Sequence, residues 1–212
     1  LVGLTIAGPT DSFASTPAPS TPKVSPVITV LNKLAVKGRA PKTGYDRNLF
    51  GDGWGSIGSC DTRNFILQRD LTNITWRPDE NCIVATGVLR DPYTNRVINF
   101  KRGVGTSLAV QIDHVVAVSD AWQKGAQRWS YSTRVAFYND PLNLLAVDGP
   151  TNGQKSDSDA ASWLPPNKGF RCAYVARQVA VKSKYGLWVT SAEKTAIANV
   201  LSTCPNQRLP KG

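Results

Sequence analysis

The stretch Leu108-Ala-Val-Gln-Ile-Asp-His-Val-Val-Ala-Val118 decides the reading of this chain, because it sets the sequence's one histidine beside a carboxylate inside an apolar run. Downstream stand Asn143-Leu144-Leu145 and then Asn152-Gly153-Gln154-Lys155-Ser156. The apolar patterning reads as strand over Ser107–Val118 and over Leu142–Val147, the second ended by Asp148-Gly149-Pro150, with a helix from Asn152 to Pro165-Pro166. An Asp-His step on one strand, an Asn-Leu step on the next and Asn-x-x-Lys at a helix start can surround a single phosphate. A neutral imidazole, with an ordinary pKa of about 6.5, accepts a water's proton near neutral pH. A hard cation keeps several waters, so two protein oxygens are enough to hold it. Adjacent strand residues face opposite sides, so Asp113 and His114 can share a site only at a strand end or local twist. A helix N-terminus beside Asn152 would add a favourable dipole for the phosphate.

Charge points the same way. The 212 residues carry 25 Lys and Arg against 15 Asp and Glu, a formal net of +10. Such an excess fits a polyanionic partner: nucleic acid, an anionic membrane or an acidic wall polymer. The charge is uneven: six acids against four bases over 111–160, then eight bases against one acid over 161–212. An acidic stretch beside a basic one suits metal chemistry next to a phosphate grip. If Arg171–Tyr185 is helical, Lys168, Arg171 and Lys182 share a face that would follow a phosphate backbone. At 41% hydrophobic the chain can bury one core, and no stretch reaches the ~18 apolar residues of a membrane span.

Cys60, Cys82, Cys172 and Cys204 allow three pairings. None forms a C-x-x-C step, and a single histidine removes most Cys/His zinc schemes. The even count and wide spacing favour two disulfides, with the local pairing Cys60–Cys82 and Cys172–Cys204 preferred over four buried thiols, and hence an oxidising compartment. Leu1–Ala7 reads as the tail of an apolar signal region, and the Pro-, Ser- and Thr-rich tract to Pro26 as a linker, so residues 1–26 are expected to be disordered and the protein secreted.

Between these landmarks Val27–Val36 reads as a short helix, Gly44–Gly55 as a Gly-rich loop and Thr62–Leu71 as a helix. Cys82–Leu89 and Arg96–Phe100 read as a hairpin around Asp91-Pro92-Tyr93-Thr94-Asn95. Ser119–Asp140 is mixed and mostly helical, with Trp122 and Trp129 as core anchors. Two helices close the chain, Arg171–Tyr185 stopped by Gly186 and one begun by the capping box Thr190-Ser-Ala-Glu193. A Cys172–Cys204 bridge would tie the far ends of this antiparallel pair.

Asp113-His114-Val115-Val116, Asp140-Pro-Leu-Asn-Leu-Leu145 and Asn152-Gly-Gln-Lys155-Ser156 resemble the ββα-metal (His-Me) finger of HNH nucleases. More narrowly, the chain resembles secreted bacterial HNH-family nucleases related to the GmrSD C-terminal domain. The likeness extends through Gly44-Tyr-Asp-Arg47, Cys60-Asp-Thr-Arg-Asn64, Asp91-Pro-Tyr-Thr94, Ser119-Asp-Ala-Trp122 and Trp163-Leu-Pro-Pro166, from about Lys37 to Cys204. It implies an α+β fold: a ββα-metal finger embedded in a single domain over residues 27–208, with an additional β-hairpin and a C-terminal antiparallel helix pair.

By the same resemblance, His114 is the general base and Asn143 holds the loop that orients it. Asp113 and Asn152 are ligands of one divalent cation, Mg²⁺ or Mn²⁺, and Lys155 or Arg63 contacts phosphate. The motif's final histidine is Asn152 here, which disfavours Zn²⁺. Asp157 and Asp159 flank the same helix as rival ligands, although Asp159, seven residues from Asn152 and two turns away on the same face, is too distant to ligate with it. The alternative for Arg63 with Asp61 is to brace the fold beside Cys60. The implied activity is metal-dependent endonucleolytic hydrolysis of DNA, with RNA as the other substrate, largely without sequence preference, by a secreted monomer. The alternative is a non-catalytic polyanion- or nucleic-acid-binding cell-surface protein on the same fold. A serine hydrolase is disfavoured by the lack of G-x-S-x-G.

Overall fold

A computed structural model describes residues 2–3 and 25–210. In chain order the elements are α1 (Pro26–Lys33), β1 (Ser56–Ile57), β2 (Cys60–Asp61), α2 (Thr62–Asp70), β3 (Leu71–Arg77), β4 (Glu80–Arg90), β5 (Val97–Lys101), β6 (Val110–His114), α3 (Val118–Gln123), α4 (Tyr131–Tyr138), β7 (Leu144–Asp148), α5 (Gly149–Lys155), α6 (Arg171–Tyr185) and α7 (Ser191–Ser202). The architecture is α+β, as expected. The disordered tract expected over 1–26 lies outside the described residues except at Val2, Gly3, Ser25 and Pro26. Ser25 and Pro26 belong to the start of α1: Ser25 accepts a hydrogen bond from Val27 N as N-cap, and its Oγ donates to Gln207 O.

The finger is formed by β6, β7 and α5. The two strands pair antiparallel from Val110 opposite Asp148 to His114 opposite Leu144. Both faces of this ribbon are covered, which is why its residues read as apolar runs rather than as alternation. Both strands are shorter than their apolar runs. A 3-10 turn over Thr106–Ala109 precedes β6, and the chain leaves the ladder after His114 so that Val118 already belongs to α3. A second 3-10 turn, Pro141–Asn143, precedes β7.

Helix α5 begins at Gly149, three residues earlier than expected, and ends at Lys155 rather than running to Pro165. Asp148 caps it, accepting from Thr151 N at 2.9 Å and Thr151 Oγ1 at 2.6 Å. One of its free amides, Thr151 N, is therefore already engaged by a carboxylate. Gly149 is required by proximity: a Cβ there would stand 2.0 Å from Leu108 O, so any side chain would push α5 off the segment leading into β6.

The expected hairpin is present as β4 and β5, in register from Thr86 opposite Lys101 to Arg90 opposite Val97. A third strand, β3, was not expected; it pairs with β4 through several register shifts. Its sequence Leu71-Thr-Asn-Ile-Thr-Trp-Arg77 is rich in β-branched and aromatic residues, a signal hidden by its junction with α2. The Asp91–Asn95 turn is bound to the finger, since Asp91 Oδ1 accepts from Asp148 N at 2.9 Å.

At the other end, α6 stops at Gly186 in a left-handed conformation (φ 63°), and α7 starts with the Thr190–Glu193 capping box. Both expected disulfides form, with Cα–Cα separations of 5.2 Å for Cys60–Cys82 and 6.4 Å for Cys172–Cys204. Three buried clusters support the site. One joins α1, α6 and α7 to Tyr93, Val115 and Val147. The second gathers Phe50, Trp122, Phe137 and Tyr138 beyond His114. The third packs α2 and the β3–β4–β5 sheet against the back of the finger.

Candidate functional site

His114 is the last residue of β6, where the ladder ends. Strand alternation turns its ring away from the Asp113 side chain and into an aromatic box. The Trp54 ring lies nearly parallel to it (5.6 Å between centroids, 8° between planes), and the Tyr138 ring stands 4.5 Å away. Nε2 is 2.8 Å from the main-chain oxygen of Tyr138. A carbonyl only accepts, so Nε2 carries the hydrogen and the neutral ring keeps its lone pair on Nδ1. Burial lowers the imidazole's pKa, more than the Tyr138 carbonyl and Asp113 raise it and with help from Arg47 and Lys155, to about 4. The ring is thus uncharged at neutral pH.

The loop after His114 is held by Asn143. Its side-chain oxygen accepts from Val116 N at 2.8 Å, its amide nitrogen donates to Val116 O at 3.2 Å, and its own main-chain oxygen accepts from Val115 N at 2.8 Å. Asn143 is wholly buried. It ties down the main chain at Val115 and Val116, where β6 ends.

Asp113 faces the other way, toward α5. Its Oδ2 accepts from the Tyr93 hydroxyl and its Oδ1 from Lys155 Nζ at 2.9 Å. Lys155 also donates to His114 O at 2.9 Å and is completely buried, which removes it from any surface contact with a phosphate. Burial, followed by the Asp113 charge, raises the Tyr93 phenol well above its ordinary range, so it stays a donor. Asn152, in the middle of α5, donates from Nδ2 to Gln111 Oε1 at 2.8 Å, which leaves its amide oxygen as an acceptor. Gln111 and Asp113 share a face of β6, two residues apart.

These groups meet in a cavity of about 350 Å³, whose walls include Asp113, His114, Asn152, Arg47, Ser119 and Asp157. Arg47, which the sequence offered only as a fallback grip beside Arg63, is in the lining. Its guanidinium lies 5.2 Å from the Tyr138 ring centroid and donates to the Tyr138 hydroxyl at 3.1 Å. Among the described residues no carboxylate pairs with it. The signal was present in Gly44-Tyr-Asp-Arg47, but only folding brings that loop over the finger. Asp157 also lines the cavity, bridged to Lys42 at 3.2 Å and accepting from Ser119 Oγ at 3.0 Å. Burial alone would raise its pKa; the Lys42 and Ser119 hydrogen bonds outweigh that and lower it.

Other expected residues lie outside the cavity walls. Arg63 donates to Ser107 O at 3.5 Å and Val110 O at 3.2 Å, bracing the entry to β6. Asp159 joins a buried ion cluster: Lys124 Nζ lies 2.7 Å from Asp120, Asp159 and Glu193, while Lys182 Nζ reaches Asp120 at 3.2 Å and Glu193 at 2.9 Å, and Arg39 closes the group. Lys182 is therefore fully buried, and the expected face of Lys168, Arg171 and Lys182 is not available as a phosphate track. Trp54 packs against two of the buried clusters and also stacks on the histidine, presented by a loop whose Gly55 N donates to Asn139 Oδ1 at 2.7 Å.

Among the described residues no three His, Cys, Asp or Glu side chains cluster as metal ligands do. The cavity offers a smaller oxygen set, the Asp113 carboxylate and the Asn152 amide. That set fits a hard cation that retains most of its water, and suits Zn²⁺ poorly because it contains neither thiolate nor a second imidazole.

The family described as GmrSD restriction endonucleases, C-terminal domain, matches residues 61–200, which span α2 to α7 and include every residue of the finger. A protein of Arthroderma benhamiae (strain ATCC MYA-4681 / CBS 112371), described as an uncharacterized secreted protein, is 38% identical over 189 residues, covering 88% of this chain and 88% of its own. That relative is fungal, so the likeness is not confined to bacteria as expected. No solved structure matches the chain.

Proposed function

Since the chain belongs to the family of GmrSD restriction endonuclease C-terminal domains, we propose that it is a metal-dependent endonuclease that hydrolyses phosphodiester bonds of DNA, or of RNA, with His114 as general base. The observation that carries this reading is the His114 ring itself. Its Nε2 hydrogen is committed to Tyr138 O, its Nδ1 lone pair is free, and it lines a cavity shared with Asp113, Asn152 and an unpaired arginine.

In this reading His114 accepts the proton of the attacking water at Nδ1, and the Tyr138 carbonyl steadies the imidazolium that results. Trp54 and Tyr138 keep the ring from turning. Arg47, rather than Lys155 or Arg63, meets the phosphate, since its guanidinium is exposed at the cavity and offers a two-pronged contact. Asp113 and Asn152 would hold the cation, Mg²⁺ or Mn²⁺, which would supply counter-charge to the leaving oxygen. Lys155 and Tyr93 hold the Asp113 carboxylate in place. Cleavage is expected to be largely independent of sequence. The domain runs over 27–208, because α1 packs against α6 and α7 although it precedes the family match. The two disulfides and the secreted relative support an extracellular protein.

The test is to incubate the purified chain with supercoiled plasmid and with RNA, with and without chelator. Cleavage that stops in chelator and returns with Mg²⁺ or Mn²⁺ is expected. Retained DNA binding with no cleavage under any condition would point instead to a non-catalytic polyanion binder.

A further inference from the structure

The charges around the cavity are those of an anion site as much as of a cation site. On the finger side, the Asp113 carboxylate already faces the Lys155 ammonium at 2.9 Å. Elsewhere in the lining, Asp157 is bridged to Lys42 at 3.2 Å. Arg47 has no acidic partner among the described residues. Two carboxylates against three cations leave the free cavity with an excess of about one positive charge. Lys155 cannot relieve this by swinging out. It is wholly buried, and its second hydrogen bond, to His114 O, ties it to the strand end.

A divalent ion entering this cavity alone would meet that excess at short range, in a site walled partly by protein, where charges are screened less than in water. The arrival of a phosphodiester changes the balance, because it brings a full negative charge against Arg47. We propose that Lys155 couples the two ligands: it holds the free site at a charge that disfavours a divalent cation, so that cation and phosphodiester bind as a pair. This rests on the metal-nuclease reading above and deepens it. Lys155 is here a positioning residue, acting through Asp113. Thermodynamic reciprocity then requires the phosphodiester to tighten cation binding by the same factor as the cation tightens phosphodiester binding.

The experiment measures bound Mn²⁺ by electron paramagnetic resonance on the full chain, alone and with an uncleaved dinucleoside phosphorothioate, subtracting Mn²⁺ bound by the probe itself. Wild type should bind Mn²⁺ at least about tenfold more tightly with the probe than without it, within the usual span of site-to-site coupling. Lys155→Met, which removes the ammonium but keeps most of the volume, should tighten Mn²⁺ binding in the free protein by about tenfold and shrink the coupling. Arg47→Gln changes an exposed side chain and so carries little folding risk; it should shift free-state Mn²⁺ affinity in the same direction by a smaller factor. If Lys155→Met does not fold, the Arg47→Gln and wild-type titrations decide. Equal Mn²⁺ affinity with and without probe in wild type, or unchanged free-state affinity in the folded variants, would overturn the coupling while leaving the nuclease reading intact. Failure of Mn²⁺ to bind in either state would instead overturn the metal reading, and this inference with it.

Discussion

The hydrogen bond from His114 Nε2 to Tyr138 O does two things at once: it selects the tautomer and aims the lone pair. No other histidine exists in the chain to replace it. His114→Ala is therefore expected to lower plasmid cleavage by about 10²–10⁴-fold while leaving DNA binding, read by fluorescence anisotropy, close to wild type. Near-normal turnover would remove His114 from the mechanism. Asn143→Ala should behave differently. Its side chain satisfies both the N–H and the carbonyl of Val116 in a fully buried position, and leaving such groups unpaired costs about 1–3 kcal/mol each. A fall in melting temperature and in cleavage together is expected from that variant; a loss of cleavage at unchanged melting temperature would mean that Asn143 touches the reaction directly.

At the scale of elements, the finger is short and depends on what is packed around it. The β6–β7 ribbon has five residues in each strand, and α5 has seven, lengths that do not stand alone in water. The clamps are the Asp91 turn, the Arg63 brace and the two disulfides, one bridging β2 to β4 and the other linking the start of α6 to the residues after α7. Reduction of both bridges should lower stability by about 2–4 kcal/mol apiece, seen as a drop in melting temperature under reductant. Four thiols alkylated in the native, unreduced protein would contradict both bridges. Sequence reading was dependable for elements carrying their own stop signals: Gly186 ended α6 and the Thr190–Glu193 box began α7 as expected. It was weaker where an apolar run outlasts its strand. The buried residues 115–118 continue the pattern of β6, but the chain turns there because Asn143 captures the main chain at Val115 and Val116.

Across the whole molecule, the excess of basic residues divides into two populations that composition cannot distinguish. Lys124, Lys155 and Lys182 are wholly buried among carboxylates, whereas Lys42 and Arg47 stand at the cavity. DNA binding should weaken steeply with salt, and Lys42→Ala and Arg47→Ala should each flatten the slope of log affinity against log salt by about one unit. Lys182→Ala should leave the slope alone and lower stability instead, since it leaves Asp120 and Glu193 sharing Lys124 without their second buried lysine, a loss of up to about 3–5 kcal/mol for a broken buried pair. An unchanged slope in both cavity variants would place the grip elsewhere on the surface.

The same cluster makes stability depend on acid. For Asp159, burial alone would raise the pKa. The hydrogen bond and charge of Lys124 outweigh it and bring the carboxyl to about 2, against 3.8 ordinarily. A carboxyl depressed in the folded state contributes stability that is present above the unfolded value, and this contribution is lost as pH falls through the folded one. Thermal melts should therefore show a loss between about pH 4 and pH 2 that is smaller in Asp159→Asn, which starts from a lower stability at neutral pH. An identical acid dependence in the two proteins would mean that Asp159 is not the group being protonated.

By itself the sequence determined the order of the finger, the identity of its histidine, the even count of cysteines that favoured two bridges, and the stop of α6 and start of α7. Each of these is encoded within a few residues or by a count, through residue chemistry that acts locally. The tertiary structure alone decided that Lys155 is a buried counter-ion rather than a phosphate contact, that Arg63 braces the strand entry, that Lys182 lies in the interior and that Arg47 and Trp54 stand at the histidine. The physical reason is range. A cation's role depends on which carboxylate, carbonyl or ring reaches it from elsewhere in the chain, and a lysine's sequence neighbours do not record whether its ammonium ends in water or against an aspartate 42 residues away.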